Sequence, residues 1–231
     1  MKSIIVTGAS SGIGRATAEL FLDKGWRVGL IARRVDLLEN MAAVQPNAVV
    51  LPADVTDAAA MEAAFKAFGH LDVLFNNAGI FGPAGSIDEI PLADWEQVLS
   101  VNLHGMFIAA RLAFGQMRAQ GGGRIINNGS LSAHVPRPGS VCYTTTKHAI
   151  TGLTRSLSLD GRPFGIACGQ IDIGNAESEM VASLKAQNPG MDTMDVAHAA
   201  ASVLHMADLP AEANVQFLTV MATNMPFIGR G

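Results

Sequence analysis

An apolar run, Ile4-Ile5-Val6, passes without a break into Thr7-Gly8-Ala9-Ser10-Ser11-Gly12-Ile13-Gly14 and then into the helical pattern Arg15-Ala16-Thr17-Ala18-Glu19-Leu20-Phe21-Leu22. Strand, glycine turn and helix in this order constrain the chain more than any other stretch. Gly8 permits the tight turn, Gly12 lets a pyrophosphate come close to the backbone, and Gly14 lets the helix pack against the strand. The first turn of that helix then aims unpaired N–H groups at the phosphates. Glycines alone mark only tight turns. The strand before and the helix after supply the context of a dinucleotide cradle built from Gly8, Ser10, Ser11, Gly12, Ile13 and Gly14.

The same alternation continues along the chain. Strands are predicted over Trp26–Ala32, Ala48–Pro52, Leu71–Phe75, Arg124–Asn128, Ile166–Ile171 and Val215–Met221. Helical periodicity covers Asp36–Val44, Leu92 to about Gln120, Val141 to about Leu159, and Val196–Met206, with Asp57 a cap for a further helix. Asn102 and Gly105 interrupt the second of these, and an amide in mid-helix costs stability unless it bonds something. A polar lid is expected from Asp172 to about residue 190. Alternating strands and helices imply an α/β fold, a Rossmann-type doubly wound parallel sheet of about seven strands with helices on both faces. No linker, repeat or low-complexity segment divides the chain, so residues 1–231 read as one domain holding cofactor and substrate sites together.

A net charge of −4 gives no electrostatic reason to expect nucleic acid or an anionic membrane as a partner. The first strand starts too early for a signal peptide, and no apolar run is read as approaching the ~18 residues of a membrane span, which predicts a cytoplasmic protein. Cys142 and Cys168 read as buried thiols. The six histidines show no ligand spacing, so no metal site is expected, and among them only His134 is placed to face a substrate.

The strand ending at Ala32 is followed by Arg33-Arg34 rather than by an acid. An acidic residue there would accept the ribose hydroxyls of NAD, whereas Arg33 can form a charge-assisted fork onto a 2′-phosphate, so NADP(H) is the expected cofactor, with NAD(H) less favoured. Asp54, followed by Val55, lies at the carboxyl end of a parallel strand, where it either meets the adenine amino group or simply forms the turn. The small residues of Asn76-Asn77-Ala78-Gly79 allow the backbone to pass close to a ribose.

Tyr143, the one tyrosine in the chain, and Lys147 leave the same face of a helix. A phenol in water is too weak an acid to exchange protons efficiently at neutral pH, but a nearby ammonium favours the phenolate and makes it a usable acid or base. Ser130, thirteen positions earlier, stands at a strand end where it can donate to a carbonyl oxygen as negative charge develops. A Tyr-x-x-x-Lys pair by itself is ordinary helix surface. Together with the glycine turn, Asp54, Asn76-Asn77-Ala78-Gly79, Asn102, Ser130 and Tyr143-Thr144-Thr145-Thr146-Lys147, it makes a set in which the chain resembles the short-chain dehydrogenase/reductase family over nearly its whole length.

The resemblance implies an NADP-dependent oxidoreductase moving hydride between nicotinamide and a carbonyl or secondary alcohol, with Asn102, Ser130, Tyr143 and Lys147 as the catalytic set. It further implies that Asn102 holds a water linking Lys147 to solvent, that Lys147 holds the nicotinamide ribose, and that copies pair as a homodimer or homotetramer through the two long helices. The alternative is a protein that binds NADP(H) and reports or scaffolds without turnover, which would have no need of the four catalytic residues together. The chain departs from the family after its sixth strand. Ile173 stands where the family has proline, which places Gly174 on the family's glycine, Ala176 beside the nicotinamide and Ser178 on the threonine at the pyrophosphate, with Met180 as the anchor of that alignment. Around the reacting carbon the resemblance places Ile80-Phe81-Gly82-Pro83, Ser132-Ala133-His134-Val135-Pro136 and the lid near Met180. These are mostly apolar, and Arg137, the nearest cation in sequence, reads as a solvated surface residue rather than as the alternative, a carboxylate clamp, so a neutral, small to medium carbonyl compound is the expected substrate.

Overall fold

Strands β1 (Ser3–Thr7), β2 (Arg27–Ala32), β3 (Ala48–Pro52), β4 (Val73–Asn76), β5 (Gly123–Asn128), β6 (Ile166–Gly174) and β7 (Phe217–Met221) run parallel in one sheet, in the order β3-β2-β1-β4-β5-β6-β7. This is the expected doubly wound sheet, seen in a computed structural model that describes residues 1–178, 181–182, 185–186 and 190–228. Growth of the sheet reverses between β3 and β4. The carboxyl ends of β1 and β4 therefore diverge into a crevice, the place where open α/β sheets bind ligands.

Helices α1 (Gly12–Asp23), α2 (Val35–Ala42) and α7 (Val196–Asp208) cover one face. The other carries α3 (Ala58–Phe68) and α5 (Met106–Gln120). Successive strand residues point to opposite faces, which is why the run Ile4-Ile5-Val6 is buried throughout: Ile4 and Val6 join the core with Phe21 and Leu38, and Ile5 joins the core with Phe65 and Phe68. Asp57 caps α3 as expected, its carboxylate accepting the N–H groups of Ala59 and Ala60. Both cysteines are buried, and burial pushes the Cys168 thiol up to about 12, which leaves it inert.

Helix α4 (Leu92–Leu99) continues through a π-helical stretch, Ser100–Gly105, into α5. The interruption expected at Asn102 and Gly105 is thus a widened turn rather than a break. Asn102 is fully buried there, its Oδ1 accepting the Ile80 N–H at 2.8 Å while Nδ2 donates to the Ile80 carbonyl at 2.8 Å and to Thr146 Oγ1 at 3.3 Å. By length and composition Leu92–Gln120 is long and apolar enough to cross a membrane, contrary to the sequence reading. Its apolar side chains Ala109, Ala113 and Met117 are spent on the sheet instead.

The sixth strand is longer than predicted. Asp172, Ile173 and Gly174 pair with Thr219, Val220 and Met221 of β7, so the expected lid cannot start at Asp172. A carboxylate in an apolar run reads as the start of a loop; here it is buried because neighbouring donors satisfy it. Met180 and much of the expected lid lie outside the described residues, as do residues 229–231.

Gly14 of α1 is where the fold has least room. A Cβ on it would strike the Gly8 carbonyl oxygen and the Asn77 side-chain amide, backbone and a fixed side chain that cannot yield. Gly14→Ala is expected to lower stability in chemical denaturation by about 1–3 kcal/mol or more. Gly115→Ala, on the exposed side of α5 with nothing near its Cβ, is expected to raise it by about 0.4–1 kcal/mol.

Candidate active site

The crevice at the ends of β1, β4 and β5 is a cleft of about 440 Å³ lined by Gly8, Ser10, Ser11, Gly12 and Ile13 on one side and by Asn77, Ala78, Gly79, Tyr143 and Lys147 on the other. Gly8 and Gly12 adopt positive φ, 71° and 51°, which only glycine takes without strain. Ser11 precedes α1 without capping it, so the first N–H groups of the helix have no side-chain acceptor. Thr7 Oγ1 accepts the backbone N–H groups of Asn77 (2.8 Å) and Ala78 (3.0 Å), and Asn77 Nδ2 donates back to the Thr7 carbonyl at 2.9 Å. Ser178 closes the cradle from above, since a Cβ on Gly12 would come within 3.0 Å of the Ser178 Cβ. Gly14 does not line the cleft; its part is the close packing of α1.

At the far end of the cleft stand Arg33, Arg34, Asp54 and Val55. Asp54 Oδ1 accepts from the Thr56 N–H (2.9 Å) and hydroxyl (2.8 Å), and its Oδ2 lies 3.7 Å from Arg33 Nη1. The Thr56 backbone N–H holds the carboxyl below the usual carboxylate range; burial opposes this, and the Thr56 hydroxyl and Arg33 add to it. Asp54 therefore forms its turn and faces the cleft at once. Arg34 Nε donates to Ser10 Oγ at 3.2 Å, joining the cradle to this cationic end.

Lys147 is buried, and its Nζ donates to the Asn128 carbonyl at 2.8 Å and lies 5.3 Å from the centre of the Tyr143 ring. Both come from α6 (Val141–Gly161), as the spacing predicts. Tyr143 stands on the boundary between the cleft and a second, smaller cavity of about 100 Å³, whose wall also includes Ser130. Ser130 Oγ accepts from the Ser132 N–H at 3.1 Å and so keeps its own proton to donate. Its backbone N–H donates to Asp172 Oδ1 at 2.9 Å. Asn102 lines neither space; it sits behind the cleft, bonded to Ile80 and Thr146. Gly174 and Ala176, expected at the cofactor, line the second cavity, while Ser178 borders both.

Three features escaped the sequence reading. Asn128 lines the cleft, ties to Asn77 Oδ1 through Nδ2 at 2.8 Å and holds Lys147; the polar end of an otherwise apolar strand was the available signal. Asp172, with no exposed surface, also accepts from Gln170 Nε2 at 2.7 Å and meets His134 Nε2 at 2.8 Å, so His134 is held from behind by an acid rather than free to face substrate. Arg137 lines the second cavity and is not the solvated surface residue expected of it; Phe81 and the tail residues Met225 and Phe227 form other parts of that wall. The positive-φ glycines and the uncapped α1 suit a dinucleotide pyrophosphate, and the buried Asn128 Oδ1, which has no partner among the described residues, offers an acceptor at the same cleft.

The short chain dehydrogenase family model matches residues 2–189. The 2-(R)-hydroxypropyl-CoM dehydrogenase of Xanthobacter autotrophicus is 38% identical over 187 residues, covering 76% of this chain and 75% of that protein. The cis-4-hydroxycyclohexanecarboxylate dehydrogenase of Sinomonas cyclohexanicum is 35% identical over 189 residues, covering 79% of this chain and 76% of its own length. Among solved structures, levodione reductase superposes with a TM-score of 0.87 at 28% identity, covering 95% of each chain. A match of this extent, on a fold this close, means that the chain belongs to the short-chain dehydrogenase/reductase family and is an oxidoreductase.

Proposed function

We propose that the protein is an NADP-dependent oxidoreductase that interconverts a carbonyl group and its secondary alcohol. The observation that carries this reading is the position of Tyr143, at the boundary between the dinucleotide cleft and a small cavity that also presents the Ser130 hydroxyl. A nicotinamide bound in the cleft supplies or accepts the hydride. In reduction, Ser130 donates a hydrogen bond to the substrate carbonyl oxygen, stabilising the negative charge that develops on it. Tyr143 delivers its phenolic proton to that oxygen, and in oxidation takes it back. Lys147, fixed by the Asn128 carbonyl, holds positive charge beside the phenol and binds ribose hydroxyls. Asn102 acts one layer back, pinning Ile80 and Thr146 so that α6 and the β4 loop keep their spacing.

The phosphorylated cofactor is favoured by Arg33 and Arg34 at one end of the cleft, with Ser10 bonded to Arg34. Solved relatives of the same fold include a serine dehydrogenase holding NADP+ and a 3-ketoacyl-(acyl-carrier-protein) reductase holding NADH, so the choice rests on this chain's own arginines. Association of copies through the long helices is favoured by Phe107 on α5 and Leu159 on α6, both apolar and half or more exposed.

NADPH is expected to bind at least about tenfold tighter than NADH, a difference of about 1.4 kcal/mol, in fluorescence titrations of the two reduced cofactors. Arg33→Ala should erase most of that preference; equal affinities in the wild type would remove the assignment. Tyr143→Phe is expected to lower kcat by about 10²- to 10⁴-fold with NADPH affinity nearly unchanged, because the phenol acts in the transition state. Substantial turnover by Tyr143→Phe in a spectrophotometric assay would show that the proton comes from elsewhere.

A further inference from the structure

Among the described residues that line the cavity beyond Tyr143 there is a single fixed charge. None of them is Asp, Glu, Lys or His, and the only cation is Arg137. Its guanidinium lies 5.5 Å from the centre of the Phe81 ring, and that ring is in turn 5.0 Å from the Tyr143 ring. Guanidinium, phenyl and phenol thus form a row along one wall. No carboxylate among the described residues pairs with Arg137. Asp172, the acid behind Ser130, is fully buried and already meets Ser130, Gln170 and His134.

Arg137 is also held in place. Pro136 and Pro138 flank it and restrict the backbone on both sides. The Ser140 hydroxyl donates to the Arg137 carbonyl at 2.7 Å, and the Gly85 N–H donates to the Gly139 carbonyl at 3.2 Å, tying this loop to the segment after β4. A solvated arginine needs no such anchoring. Arg137 is half-buried in a wall that also includes Val135, Ile173 and Phe227, and with no described carboxylate beside it the molecule that fills the cavity can bring the counter-charge. Guanidinium geometry suits a carboxylate, which it binds by two parallel hydrogen bonds.

We propose that the substrate is a small carbonyl compound, or its alcohol, bearing a carboxylate, and that Arg137 is the residue that selects it. The carboxylate sits on Arg137 while the reacting carbon meets Tyr143 and Ser130; a cavity of about 100 Å³ keeps the molecule small. This replaces the neutral substrate expected from the sequence, and it rests on the oxidoreductase reading given above.

The test uses matched acids and methyl esters, 4-oxopentanoate and 4-oxocyclohexanecarboxylate with their esters, as substrates for NADPH oxidation by the whole protein. The wild type is expected to favour acid over ester at least about tenfold in kcat/KM. Arg137→Ala should reduce that ratio by about tenfold or more, mainly through KM for the acid, and Arg137→Lys should recover part of it. In parallel, calorimetry measures acid binding to the Tyr143→Phe protein loaded with NADP+, with and without Arg137→Ala. Arg137-dependent acid binding to the variant, together with no turnover of either acid by the wild type, would uphold the anion site and overturn the redox assignment. Turnover with no preference for acids, an acid-to-ester ratio unchanged by Arg137→Ala, or no acid binding at all would overturn the role of Arg137.

Discussion

The cofactor end of the molecule depends on how closely α1 can approach the ends of β1 and β4. Gly14 rests directly on the Gly8 carbonyl and the Asn77 amide, and any larger residue would hold the helix away. Because α1 comes so close, a short chain of hydrogen bonds can cross the sheet. Thr7 binds the backbone of Asn77 and Ala78, Asn77 Oδ1 receives the Asn128 amide, and the Asn128 carbonyl receives the Lys147 ammonium. The glycine turn and the lysine beside the phenol are therefore positioned by one continuous network. A shift at the turn would be felt at Lys147 without any change in α6 itself.

Ser130 is positioned from the opposite direction. Its backbone N–H is held by Asp172, and a Cβ on the preceding Gly129 would strike that same carboxylate, so the strand end is shaped around the acid. A buried carboxylate costs stability unless donors surround it, and Ser130, Gln170 and His134 all do so here. Asn102 solves the same problem in α4 and α5. Its side-chain amide pairs with both the N–H and the carbonyl of Ile80, so the widened turn binds the β4 loop to the helix behind it. In both places a polar group that looks costly in isolation fixes the distance between two elements that carry site residues.

These two networks also explain which parts of the molecule were legible in the sequence. The glycine turn and the Tyr143/Lys147 pair are local: their geometry follows from the period of one helix and the conformational freedom of three glycines, so spacing places them, while the role of the pair comes only from the full set of residues that carries the family resemblance. Strand content was legible for the same reason, because a strand buried on both faces reads as an apolar run. Asp172 breaks that run and reads as the start of a loop, since two of the three side chains and backbone groups that satisfy it, Ser130 and His134, lie 42 and 38 positions away along the chain. Arg137 was misplaced for a related reason. Whether an arginine on a proline-flanked loop faces solvent or a cavity depends on where Phe81 and the tail settle, and neither is encoded near residue 137.

The cations at the two ends of this trench differ in what they can contribute. Arg33 is largely exposed, 72% of its side chain open to water, so its attraction for a phosphate is weakened by solvent and by salt, and it already shares its charge with Asp54. Arg137 is half-buried, lies against an aromatic ring and shares its charge with no described carboxylate. The same unit of charge acts more strongly there, because the effective dielectric falls as water is excluded. On the proposed reading, selection among cofactors by Arg33 would for that reason be the weaker of the two discriminations, supplemented by Arg34 and Ser10. Selection at the substrate end can rest on a single side chain. The sheet and the proton-transfer residues are common to oxidoreductases of many specificities, so the chemistry that distinguishes this one lies in the loops after β4 and β5 and in the tail that meets them.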